Sequence, residues 1–458
     1  MAYSTYGTRL APIAKALKQD NCRIWVIGDS KCDPSRQPNI AEMIERHWPL
    51  NFNGTYVSSR NGSPFTVNGR GCTFNPGAVA GLARTDKDIG ASFALGTLGT
   101  NDFPVNAAEI TFSANVADGS DIIRQFAMYN GAWATYTPPL MRWRNGDWTQ
   151  GALSVRNLFI KHQGGPAQIV NGFGRSTSPA VGSAYSHNFA VPYTGYSDAS
   201  LAAAGAYAST DYPVAGYRTN TGYDETGTTL VSLGAVFSRT VTSTNQARVI
   251  PTGQSGMKTV EWLEQGSADA TAIGASAAFV NNVQCGDFLN AAFGGLGPNI
   301  IFIQLGANHW TGTNPEYGGG LFLAYHTTYL RNIINNARAI AATALNPNPL
   351  ICLLTDFAQN GNTTAGTDEA DSRQARTIAA ADAEGVAVMD IRALVKATCT
   401  DLEFHHLCTT DGLHANAAGQ EYLGQAMWSV IEDTYTENQP RGGFGAGFGA
   451  GLILARKQ

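Results

Sequence analysis

The sequence predicts an α/β protein: a parallel sheet covered by helices on both faces, interrupted by a long β-rich insertion. Short, almost wholly apolar runs recur through residues 1–55 and 246–436: "RIWVIGD", "ARVIPTG", "NIIFIQLG", "LICLLTD" and "VAVMDI". Turn residues bound them, and helical patterns such as "LFLAYHTTYLRNIINNARAIAATAL" and "DSRQARTIAAADAEG" alternate with them. Strands apolar on both faces belong inside a parallel sheet buried under helices. Residues 56–245 have a different composition, and that change marks the insertion.

Taken in order, "MAYSTYGTRLAPIAKALKQDN" lacks the continuous apolar core of a secretory signal. It patterns instead as an amphipathic helix with Leu10, Ile13, Ala14 and Leu17 on one face. With no such signal, the expected location is cytoplasmic or virion-associated. No apolar run approaches the ~20 residues that span a bilayer. Length and composition fit two or three globular domains: 458 residues, 43% hydrophobic and only 14% charged. A formal charge of -5 with no basic cluster argues against a nucleic-acid partner.

After the first strand-helix unit, "EITFSANV", "DIIRQFAMY", "ALSVRNLFIKH" and "TTLVSLGAVFSRTV" have strand length and β-branched or aromatic content. Gly, Asn, Pro, Ser and Thr separate them. Residues 56–245 are therefore expected to form an inserted β-rich, sandwich-like domain, with 173–227 as long ordered loops. Trp133, Tyr136, Trp143 and Trp148 make an aromatic run within it. Such a run stacks on a sugar face or, more commonly, fills a core. Residues 437–458 form a Gly-rich tail with Gly443, Gly447 and Gly451 at four-residue spacing. It is too short and glycine-rich to span a membrane. The seven cysteines are scattered without C-x-x-C pairs. Cys399 and Cys408 are close enough in sequence to bridge, but packed thiols are the expectation.

Ligands on an open parallel sheet bind at the carboxyl ends of its strands, and the chemistry-bearing residues fall there. The first strand ends in Gly28-Asp29-Ser30, which puts a serine hydroxyl on a tight turn at the sheet edge. The plainer alternative is a good turn with an N-capping serine. The segment "PTGQSGMKT" follows the second strand of the sheet; Gly256 there offers an unhindered backbone N–H, or merely permits a turn. Ser255 is a rival nucleophile, though the chain has no G-x-S-x-G elbow. After "NIIFIQLG", Gly306 lets the chain turn and Asn308 can present an amide N–H, or cap the loop. Near the C-terminal end, Asp411-Gly-Leu-His414 places a carboxylate where it can orient an imidazole.

In this order, G-D-S, a glycine turn, G-x-N and D-x-x-H resemble the four blocks of the SGNH or GDSL hydrolases. The resemblance covers the α/β half of the chain. It implies a flavodoxin-like three-layer α/β/α domain with Ser30 as nucleophile and Asp411 and His414 completing the triad. It also implies an oxyanion hole of the Ser30 amide, the Gly256 amide and the Asn308 side chain. The sequence departs from the family pattern in one place: His309 stands where the family usually has Asp. Asp29, His309 and Trp310 are the substrate-side candidates.

His405, His406, Cys408 and His414 cluster in sequence, but their spacing fits no regular zinc pattern. The expectation is therefore an ester hydrolase with no cofactor and no metal. The β-rich insert resembles the carbohydrate-binding inserts of some polysaccharide O-acetylesterases, which points to an O-acylated carbohydrate as substrate. A lipase or thioesterase of the same fold is the alternative. So is a phage or virion component assembled, or a homo-oligomer formed, through the insert or the tail.

Overall fold

The computed structural model describes residues 7–19, 21–33, 39–57, 246–253, 282–306, 319–343, 346–358 and 363–438, with Thr259 and the strands named below within 70–239. Six parallel strands lie side by side in the order Asn51–Val57, Gln246–Pro251, Cys22–Gly28, Ile300–Gln304, Leu350–Leu354, Ala387–Met389. Setting aside the outer Asn51–Val57 strand, the other five follow the spatial order 2-1-3-4-5. The direction of winding therefore reverses beside Cys22–Gly28, and the crevice at that reversal is where such sheets bind ligands.

The two faces of the sheet follow from the period of two along a strand. Ile24 and Val26 point to one side, into a core shared with Leu10, Ile13, Leu17, Ile44, Trp48, Phe404, Met427 and Ile431. Trp25 and Ile27 point to the other, against Phe288, Leu289, Tyr329, Ile333 and Ile340. Both faces are apolar, so each must be covered, and the helices provide the cover. Gly7–Gln19, Ile40–His47 and Ala417–Glu437 bury one face; Asn282–Ala292, Gly319–Thr343 and Thr364–Glu384 bury the other. The result is a three-layer α/β/α core. Each large apolar side chain buried this way contributes roughly 1.5–3 kcal/mol. The N-terminal amphipathic helix forms as its pattern predicts, with Leu10, Ile13, Ala14 and Leu17 buried.

Local signals set the helix starts. Asn39 accepts the Glu42 N–H, and Asn416 accepts the Gly419 N–H. Thr400 and Glu403 form a reciprocal capping box. The short helix Asp401–Cys408 is also anchored by Arg392, whose buried guanidinium grips Asp401 and Asp371. That anchoring matters because the segment after this helix carries Asp411 and His414.

In the β-rich segment the Asn51–Val57 strand joins the core sheet directly, so the boundary drawn at residue 55 falls inside it. It pairs antiparallel with Thr229–Arg239, which extends the sheet to Leu153–Gln163, Tyr193–Leu201 and Ala107–Phe112, and through the last to Arg84–Ile89. A second sheet has the order Arg70–Phe74, Ile122–Met128, Val214–Thr219, Gln168–Asn171, Tyr185–Asn188. Three of these strands, Tyr185–Asn188, Tyr193–Leu201 and Val214–Thr219, lie where loops were expected between 173 and 227. Tyr, Thr and Val stand in these stretches among Gly, Ser and Ala, and a neighbouring backbone supplies the partner, as Leu153–Gln163 does for Tyr193–Leu201. The aromatic run from Trp133 to Trp148 and the tail 439–458 lie outside the described residues. No helix among the described residues is long and apolar enough to cross a membrane.

Candidate active site

The first strand delivers Ser30 to the reversal point on a turn that the sequence builds from within. Cys32 N–H donates to the Asp29 carbonyl at 3.0 Å, and Lys31 N–H donates to Asp29 Oδ1 at 3.1 Å. Asp29, a substrate-side candidate, is buried and uses this carboxylate oxygen to brace the turn. Gly28 does not serve the turn by adopting a positive φ. Its role is close approach: a Cβ there would lie 2.3 Å from Cys32 Sγ and 2.6 Å from the Gln304 carbonyl oxygen. Gly253, two residues past the adjoining Gln246–Pro251 strand, is confined in the same way by the Cys32 backbone at 2.4 Å. We expect Gly28→Ala to cost about 1–3 kcal/mol through overpacking, read as a lower urea midpoint. Unchanged stability would show that the turn relaxes freely.

Asp411 and His414 sit on a loop between two helices, and the loop is clamped at its base. Thr409 bridges Ala415, Thr410 N–H donates to the His414 carbonyl at 2.9 Å, and Asn416 N–H donates to the Cys408 carbonyl at 2.8 Å. The Asn416 amide also donates to the Leu407 and Thr409 carbonyls. Within the loop, Asp411 Oδ1 accepts the Leu413 and His414 N–H groups at 2.9 and 2.8 Å. Gly412 takes φ +77°, the left-handed region that glycine occupies without strain. The D-G-x-H order is thus a turn that aims its own carboxylate.

The side chains then meet. His414 Nδ1 lies 2.7 Å from Asp411 Oδ2, and His414 Nε2 lies 2.8 Å from Ser30 Oγ. Residues 384 positions apart therefore form one hydrogen-bonded line from carboxylate to imidazole to hydroxyl. Burial pushes the Asp411 carboxyl up, but the bonds from the His414 ring and the two amides outweigh it, and the carboxyl titrates below its ordinary range. An ionised Asp411 holds the proton on Nδ1 and leaves Nε2 free to accept from Ser30. The nearby Cys32 is no competing nucleophile: burial first, then the Asp29 charge, raise its thiol.

The other edge of the crevice begins at Gly306, with φ +121°; a Cβ there would meet His326 Cε1 at 2.9 Å. Burial, then the Arg373 and Arg376 charges, push the His326 imidazole down to about 3, so it packs under this loop as a neutral ring. Gly256, Asn308, His309, Trp310 and the rival Ser255 lie outside the described residues. His405 and His406 pack edge to face, with ring centroids 5.2 Å apart. Among the described residues no group of three His, Cys, Asp or Glu side chains is placed to hold a metal ion. Sequence reasoning missed Asn416, although an Asn directly before the helical "AAGQEYL" is a capping signal. It also missed Lys31, Gln304 and Asp356, which meet beside Ser30 and have no local pattern to announce them.

A family model described as GDSL-like lipase/acylhydrolase matches residues 186–427. Ser30 lies upstream of that span. No curated protein matches the chain. Among solved structures, a peptidoglycan O-acetylesterase is similar over 94% of this chain and 96% of its own, with 12% identity and a TM-score of 0.46. An acetylxylan esterase from Geobacillus stearothermophilus aligns over 41% of this chain and 73% of its own, with 18% identity and a TM-score of 0.28. An α/β hydrolase enzyme from the metagenome of Lake Arreo, Spain, covers the same shares at 15% identity and a TM-score of 0.28.

Proposed function

The chain belongs to the GDSL-like lipase/acylhydrolase family, a family of carboxylic ester hydrolases, and from that premise we propose that it removes O-acyl groups, acetyl above all, from a carbohydrate through Ser30, His414 and Asp411. The observation that carries the triad is the unbroken line of contacts, 2.7 Å and then 2.8 Å, from Asp411 through His414 to Ser30.

In this reading His414 Nε2 takes the Ser30 proton as Oγ attacks the ester carbonyl. The C–O bond order falls and an oxyanion forms. The Ser30 and Gly256 amides and the Asn308 side chain hold it. Collapse expels the sugar alkoxide, which receives the proton from His414. Water, deprotonated by the same imidazole, then attacks the acyl-serine, and Ser30 Oγ leaves with its proton restored. Asp411 stays ionised throughout and stabilises the imidazolium. His309 and Trp310 are assigned to the substrate side from their place in the sequence, directly after Asn308. Asn308→Ala is expected to lower kcat by about 10²–10³, measured on an aryl acetate; wild-type kcat would remove Asn308 from the oxyanion hole.

The carbohydrate part of the reading rests on the β-rich segment, which in this reading is an inserted, sandwich-like domain that would present a polymer to the crevice. In this reading the α/β domain comprises 1–57 and 246–437, which keeps the Asn51–Val57 strand and the Ala417–Glu437 helix whole, and 438–458 is a tail. Homo-oligomer or virion assembly would use the insert or the tail, and light scattering on the full chain tests for an assembly. The decisive experiment is acetate release from a panel of acetylated polysaccharides by wild type and Ser30→Ala. Release by wild type alone supports the reading. No release from any member, with efficient cleavage of long-chain esters, replaces it with a lipase of the same fold.

A further inference from the structure

We infer that Asp356 is a positioning residue that locks the Ser30 turn to the strand end leading toward Asn308. The inference rests on the assignment of Ser30 as nucleophile. Asp356 stands just after the Leu350–Leu354 strand, next to the crevice. One carboxylate oxygen, Oδ2, pairs with the Lys31 ammonium; the other, Oδ1, accepts from Gln304 Nε2 at 3.2 Å. Lys31 adjoins Ser30 in the chain. Gln304 ends the Ile300–Gln304 strand, two residues before Gly306. One carboxylate therefore grips the chain on both sides of the switch point.

Three further observations give this contact its direction. The Lys31 and Asp356 side chains are only 6% and 10% exposed, so solvent screens the pair little. The Lys31 ammonium also lies 4.4 Å from the Phe357 ring centroid, which fixes its approach from a second side. Lys31, Gln304, Phe357 and His414 line one small cavity, so both groups that Asp356 holds share that cavity with the imidazole that meets Ser30. Stability alone is a poor account of such a pair. Desolvating two charges costs about as much as their attraction returns, and apolar replacements of similar volume are often neutral or stabilising. Geometry is the better account, because a displacement of about 1 Å between reacting groups can cost about 10²-fold in rate.

The test uses the full chain with p-nitrophenyl acetate, and Ser30→Ala as the control. Asp356→Asn keeps the shape and removes the charge. We expect it to lower kcat by about 10–100-fold while KM changes less than about twofold, since substrate contacts are left in place. Lys31→Met/Asp356→Leu removes the pair altogether and guards against a variant that fails to fold. Its melting temperature should return to or above that of wild type, while kcat stays as low as in Asp356→Asn. Two results overturn the inference: wild-type kcat in Asp356→Asn, or recovery of kcat together with melting temperature in the double variant. Residual full activity in Ser30→Ala would instead remove the nucleophile assignment, so the two failures are separable.

Discussion

Replacing Ser30 with alanine is expected to lower kcat for acetyl-ester hydrolysis by about 10⁶-fold, leaving a soluble, folded protein. The size follows from the role. Without Oγ there is no acyl-enzyme, and the remaining donors hold only a carbonyl that water attacks slowly. Folding is spared because, among the described residues, the hydroxyl bonds to the His414 ring alone, and alanine fits where a serine of similar volume is buried. Steady-state kinetics with a circular dichroism check read both parts. A second readout is covalent: a phosphonate ester should label wild type at one serine and leave Ser30→Ala unlabelled. Labelling elsewhere, or retained turnover, would move the nucleophile, with Ser255 as the rival.

Asp411→Asn carries the next largest effect, a fall in kcat of about 10³–10⁴-fold with little change in KM. The carboxylate accepts three hydrogen bonds: two from backbone amides and one from the His414 ring. An asparagine keeps the amide contacts through its carbonyl oxygen but can offer an N–H to Nδ1. The ring then carries its proton on Nε2 and cannot accept the one from Ser30. Loop geometry survives and the tautomer does not. The variant should therefore lose turnover at every pH at which wild type works, and its melting temperature should be little altered. Activity within a few-fold of wild type would mean that the imidazole is oriented by something other than Asp411.

The same carboxyl gives a sign for acid behaviour. Its folded pKa lies below its unfolded value, so it contributes stability that is fully present above the unfolded range of about 3.9. That contribution is lost as pH falls through the lower folded value. With the side chain 48% exposed, the contribution is modest.

Much of the core was legible because its strands are buried on both faces. "RIWVIGD" and "NIIFIQLG" have no polar side to expose, and an apolar strand of that kind fits only between helices. The Asp411 turn was legible too, since Asp-Gly-x-His encodes its own hydrogen bonds and its one left-handed residue. The strands within 173–227 were not, because their partners, Leu153–Gln163, Ile122–Met128 and Gln168–Asn171, are set by the sheet order and no local window names them. Nor was the reason for Gly28: the turn itself allows a side chain, and only the approach of Cys32 and Gln304 forbids one.

By itself the sequence determined which residue types stand at strand ends, and in what order, because periodicity and turn chemistry are local. Tertiary structure alone decided that His414 Nε2 lies 2.8 Å from Ser30 Oγ across 384 residues. It alone also brought Lys31, Gln304 and Asp356 together beside them. Those distances come from packing parallel strands in the order 2-1-3-4-5, and no window along the chain contains a packing order.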